Sequence, residues 1–112
     1  MTDQTPAQRV VGDVAPKLAE LTDEVLFADV WARPELSPRD RSLITVASLI
    51  TSASTDQLVG HLHRAHDNGL TEAELVEAIT HLGFYAGWPA KAMSAAQVAS
   101  QVFTTTPGSS TS

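Results

Sequence analysis

The alternation of apolar and polar positions along this chain is helical throughout. Between Leu43 and Ala53 the run LITVASLITSA carries no charge, and Leu43, Val46, Leu49, Ile50 and Ala53 recur three and four apart, the spacing of one helical face. Ile44 and Ala47 widen that face to most of the cylinder, which predicts a helix lying inside a bundle with the other segments wrapped around it. The run is shorter than the ~20 apolar residues that a bilayer span needs.

The flanking segments read as helices too. Residues 1–8 are polar and expected to be flexible, and the folded domain is expected over 9–104 with a second flexible tail over 105–112. Val10, Val11, Val14, Leu18 and Leu21 hold helical spacings that Gly12 and Pro16 interrupt, so two short pieces are predicted rather than one rod. Thr22 is expected to cap a third segment ending at Trp31, with Asp23 and Glu24 in its first turn and Arg33-Pro34 as its stop. Ser37-Pro38-Arg39-Asp40 opens the apolar helix, with Ser as N-cap and Pro at the first helical position. Thr55 is expected to cap the next helix and Gly69 to end it. Thr71 and Glu74 form a capping box for a helix reaching about Ala86, and a last helix is predicted from Pro89 to about Thr104 with Met93, Ala96, Val98, Ala99, Val102 and Phe103 as its apolar positions. No period-two strand pattern or internal repeat is seen, so the fold expected is all-α with about six helices.

Composition narrows the possible functions. With 112 residues this is one domain by length, and its formal charge of −6 makes it a poor nucleic-acid binder, since that affinity comes mostly from neutralising phosphates. The absence of cysteine removes disulfides, thiolate catalysis and thiol redox chemistry. MTDQTPAQ has no basic and apolar leader pattern, so a cytoplasmic protein is expected, with no membrane partner. Several helices are apolar on more faces than a small monomer readily buries, which predicts a homo-oligomer.

A few polar residues stand out against this background. His61 shares the inner face of its helix with Leu58, Leu62 and Ala65, whereas His63 points elsewhere. A histidine there is either a core residue bonded to backbone or a general acid–base group. His61 and His63 diverge by about 200° around the axis, and no carboxylate on the same turn completes a ligand set, so no metal site is expected. On the following helix Ala78, His81 and Tyr85 form a row that Trp88 continues, either packed on a second side or forming one wall of a ligand pocket. Arg33, Arg39 and Arg41 cluster at the start of the apolar helix. They either pair at the surface with Glu35 and Asp40 or receive an anion.

Taken together, FADVWARPELSPRDRSLITVASLI and HLHRAHDNGLTEAELVEAITHLGFYAGWPA make the chain resemble the carboxymuconolactone decarboxylase family from about Leu26 to Phe103. In the family's peroxidase branch a Glu, a Cys-x-x-Cys pair and a His carry hydroperoxide reduction. At unbroken spacing those positions hold Ser42, Ser54, Gln57 and His61 here, so the resemblance is to the cysteine-free decarboxylase branch. It implies an alkylhydroperoxidase-like helical bundle, assembled into trimers or hexamers. It also implies cofactor-independent loss of carbon dioxide from a small unsaturated lactone or related acid in aromatic-compound breakdown. In that reading Arg41 or Arg33 orients the carboxylate, Tyr85 or His81 meets the charge developing on the carbonyl, His61 returns a proton to carbon, and Trp31 and Trp88 wall the pocket. The alternatives are an accessory helical oligomer that binds small acids, and an isomerase or hydrolase using the same pocket.

Overall fold

The computed structural model describes residues 4–87 and 90–105, and these divide into two compact units, Met1–Pro38 and Arg39–Ser112. Six α-helices lie among the described residues, with no strand: α1 (Pro6–Val11), α2 (Pro16–Leu21), α3 (Pro38–Thr51), α4 (Thr55–Asp67), α5 (Glu72–Leu82) and α6 (Ala90–Thr105).

In the N-terminal unit Gly12 and Pro16 do separate two short helices. The Thr5 hydroxyl caps α1 by accepting from the Gln8 amide at 3.1 Å and donates to Asp23 Oδ2 at 2.8 Å. Thr22 is not an N-cap. Its backbone is helical and continues α2, and its hydroxyl donates to the Leu18 carbonyl at 2.8 Å. The chain then widens into a π-helical stretch, Thr22–Phe27, closed by the Ala28 amide on the Asp23 carbonyl at 3.0 Å. A 3₁₀ turn, Val30–Ala32, follows, and the rings of Phe27 and Trp31 meet at 5.8 Å.

The C-terminal unit holds the hydrophobic core. Val46 and Ile50 from α3, Leu58 and Leu62 from α4, Leu75 and Ile79 from α5, and Ala95, Ala99 and Val102 from α6 close on one another. α6 lies close against both α4 and α5. Its buried stripe, Ala92, Ala95, Ala99 and Val102, is made of small residues, and small side chains let helix axes approach closely. Of the expected apolar positions, Ala99 and Val102 are buried and Val98 and Phe103 pack against the core, whereas Met93 is 56 % exposed and Ala96 is exposed. α3 is likewise not enclosed all round, because Ser42, Val46 and Ile50 are buried while Ile44 is 58 % exposed.

The helix ends explain the turns. Both α3 and α4 close with the paired bonds of a Schellman motif, Ser54 N on Leu49 O with Ala53 N on Ile50 O, and Leu70 N on Ala65 O with Gly69 N on His66 O. The residue in the left-handed position is Gly69 (φ 105°) after α4, as expected, but Ala53 (φ 58°) after α3. α4 begins at Thr55 with Ser54, not Thr55, as its N-cap. The Thr71–Glu74 capping box forms as read from the sequence, although α5 stops at Leu82.

Candidate functional site

α3 and α5 border an apolar groove of about 420 Å³, a volume suited to a small ligand. From α3 it takes Arg39, Leu43 and Ala47, which recur every four residues and so share a face; from α5 it takes Glu74, Glu77, Ala78, His81 and Leu82. Leu70, buried ahead of α5, completes the lining.

The polar groups of the groove are held in specific ways. Arg39 Nη2 donates to Glu74 Oε2, and Arg39 Nη1 lies 3.5 Å from Asp40 Oδ1. Glu74 is fixed independently, since its Oε1 accepts from the Thr71 amide at 2.9 Å and its own amide donates to the Thr71 hydroxyl at 3.1 Å. That backbone hydrogen bond, more than the Arg39 charge, holds the Glu74 carboxyl below the usual range. The His81 ring stacks on Tyr85, one turn on, with centroids 4.9 Å apart and planes 28° apart, and Tyr85 is itself 77 % exposed.

His61 and Arg41 do not line this groove. His61 is half-buried on α4 beside Leu58, Leu62 and Ala65, and its Nδ1 is sealed from solvent. Burial first, and the Arg64 charge second, lower its pKa below the ordinary 6.5, so at neutral pH it is a neutral imidazole, a base rather than an acid. One turn before it, Ala53 to Gln57 enclose a smaller polar hollow of about 230 Å³. His63 and His66 are exposed, and among the described residues no three His, Asp or Glu side chains gather as a metal site.

The arginine cluster resolves partly into surface pairs. Arg33 Nε lies 3.6 Å from Glu35 Oε1, with both side chains mostly exposed, and Arg39 pairs with Asp40 and Glu74. Trp31 and Arg33 belong to the N-terminal unit, and Trp88 lies outside the described residues. Of the groove residues, Arg39 was expected only as one of three clustered arginines that pair at the surface or receive an anion, and Glu77 was not singled out. The signal was present as the four-residue stripes on α3 and α5, but nothing in a sequence says that stripes 35 residues apart face each other. One further contact positions the groove wall: Ser42, fully buried, accepts a hydrogen bond from Asn68 Nδ2 at 3.0 Å, tying α3 to the end of α4.

Residues 16–101, from α2 through most of α6, match the model of the carboxymuconolactone decarboxylase family. The chain belongs to that family. A 4-carboxymuconolactone decarboxylase from Acinetobacter baylyi is 42 % identical over 77 residues, covering 69 % of this chain and 57 % of that protein. A nitrosuccinic acid decarboxylase from Metarhizium robertsii is 39 % identical over 70 residues, covering 62 % of this chain and 49 % of that protein. The chain thus spans about half the length of these curated relatives. This carboxymuconolactone decarboxylase family member contains no cysteine, and no helix among its described residues is long and apolar enough to cross a membrane.

Proposed function

We propose that this chain is a decarboxylase-type lyase acting on a small unsaturated lactone acid, or a related carboxylic acid, in the groove between α3 and α5. The observation that supports the reading is the composition of that groove, an apolar wall on which one guanidinium, one imidazole and the two carboxylates Glu74 and Glu77 converge. Support from outside the geometry comes from the two relatives, both named as decarboxylases of organic acids.

Decarboxylation of such an acid needs three things of a site. A cation orients the carboxylate, and Arg39 is the cation in the groove. As carbon dioxide leaves, the bonding pair moves into the conjugated carbonyl, whose developing negative charge needs a donor; a His81 N–H answers to that, its ring backed by the stacked ring of Tyr85. Carbon then takes a proton, and His81 is the proton donor lining the groove, resupplied from solvent because it is exposed. Proton transfer is assigned to His81 rather than His61 because His81 is the imidazole lining the groove. Leu43, Ala47, Ala78 and Leu82 present an apolar surface beside the reacting carboxylate, which favours its loss as neutral carbon dioxide.

The test is turnover of an unsaturated lactone acid, followed by carbon dioxide release. His81→Gln is expected to lower turnover by about 10²- to 10⁴-fold, the range of a lost general acid–base group, while His61→Gln stays near wild type. Full activity in His81→Gln, or its loss in His61→Gln alone, would overturn the assignment. We also propose a homo-oligomer. The support is that Ile44, Phe84, Tyr85 and Met93, large apolar or aromatic side chains, are 58, 80, 77 and 56 % exposed in the single chain. Sedimentation showing a monomer at micromolar concentration would contradict this.

A further inference from the structure

We infer that Glu74 sets how tightly the groove takes acids, acting as a built-in competitor for the guanidinium of Arg39. The inference rests on the groove being the binding site, as proposed above.

Arg39 carries one positive charge and stands between two carboxylates, Glu74 on Nη2 and Asp40 near Nη1. An incoming carboxylate therefore meets a guanidinium already partly neutralised, and competes for it with a partner in place. Arginine has five N–H donors, so such an exchange needs only a small rotation of the side chain, which is 41 % exposed. Glu74 does not follow. Its Oε1 remains on the Thr71 amide and its backbone on the Thr71 hydroxyl, because the capping box that starts α5 fixes it. A fixed negative charge is then left at the edge of the groove beside the bound carboxylate.

Two consequences follow from that placement. Binding of an acid is weakened relative to its neutral ester, since like charges at short range repel. When the substrate's carboxylate departs as carbon dioxide, the repulsion ends and Arg39 returns to Glu74, so the exchange favours product over substrate in the groove. Glu74 is thus a positioning residue, acting on the ligand through Arg39.

A capping box accepts Gln as well as Glu, so Glu74→Gln removes the charge and keeps the helix start. The probes are 5-oxo-2,5-dihydrofuran-2-acetate and its methyl ester, with dissociation constants measured by calorimetry at low salt. Glu74→Gln is expected to tighten acid binding by about three- to tenfold, from the loss of one like charge several ångströms away, to leave the ester unchanged and to keep the thermal midpoint. Thr71→Ala, which loses the cap and keeps the charge, is expected to lower the midpoint and leave the acid-to-ester ratio near wild type. Acid binding unchanged or weakened in Glu74→Gln would overturn the inference. Arg39→Gln separates the two levels. If it loses acid binding while Glu74→Gln fails to tighten it, only the role of Glu74 falls; if it binds acid as wild type does, or wild type binds neither probe, the groove reading falls with it.

Discussion

Ala95 and Ala96 are neighbours on α6 with opposite surroundings, so one substitution made at both positions tests how the core is built. Ala95 is 1 % exposed, in the small-residue stripe that lets α6 lie close to α4 and α5, whereas Ala96 is exposed. Leucine adds three carbons. In open space inside the core these would contribute about 2 kcal/mol, at roughly 0.8 per buried methylene. No such space exists where helices are held close by alanines, so the added atoms force the helices apart or the side chain off its rotamer, at a cost of about 1–3 kcal/mol. At Ala96 only helix propensity changes, by about 0.2 kcal/mol. For a domain of this size 1 kcal/mol moves the midpoint by about 4–8 °C. Ala95→Leu is therefore expected to lose about 4–24 °C in thermal denaturation followed by circular dichroism, and Ala96→Leu to stay within about 4 °C of wild type. Equal midpoints, or the greater loss at Ala96, would refute the close packing of α6 as the basis of the core.

Other expectations concern single residues. After α3 the left-handed position holds Ala53, and after α4 it holds Gly69, beside which an added Cβ meets nothing within 4 Å. Ala53→Gly is expected to raise stability by about 0.5–1 kcal/mol and Gly69→Ala to lower it by about 1–2 kcal/mol, both from the backbone cost alone; denaturant midpoints moving the other way would contradict the two motifs. His61 has a folded pKa below 6.5, so between those values the unfolded chain holds more protons and stability falls as pH drops, levelling out below the folded value. The difference in midpoint between wild type and His61→Gln is expected to change across that window, and a difference constant with pH would contradict the burial of its ring.

Local signals in the sequence were reliable where the chemistry of a turn is local. Gly12 and Pro16, the Thr71–Glu74 box and the stop at Gly69 all act through bonds within a few residues, and all appear where the pattern puts them. Thr22 misled because a threonine followed by two acids looks like an N-cap, yet its hydroxyl serves equally well inside a helix by donating one turn back. On α6 the second half of the apolar face was legible in Val98, Ala99, Val102 and Phe103, but at its start Met93 was favoured for its hydrophobicity, whereas the packing buries the small Ala92 and Ala95. At the groove, the row of His81 and Tyr85 was legible as helical spacing, and the two rings do stack. What was not legible was which face of α3 lies opposite. Arg33, Arg39 and Arg41 read alike as a cluster at the start of the helix, and only Arg39, two positions before Arg41 and so on a different side, is at the groove.

The reading of the groove as the acid site is tested most directly by mapping backbone amide shifts of the isotope-labelled chain during titration with an unsaturated γ-lactone acid. Saturable shifts centred on Leu43, Ala47, Ala78, His81 and Leu82 are the expected result. Shifts confined to Ser54, Gln57 and His61, with α3 and α5 unmoved, would contradict it and place the ligand on α4.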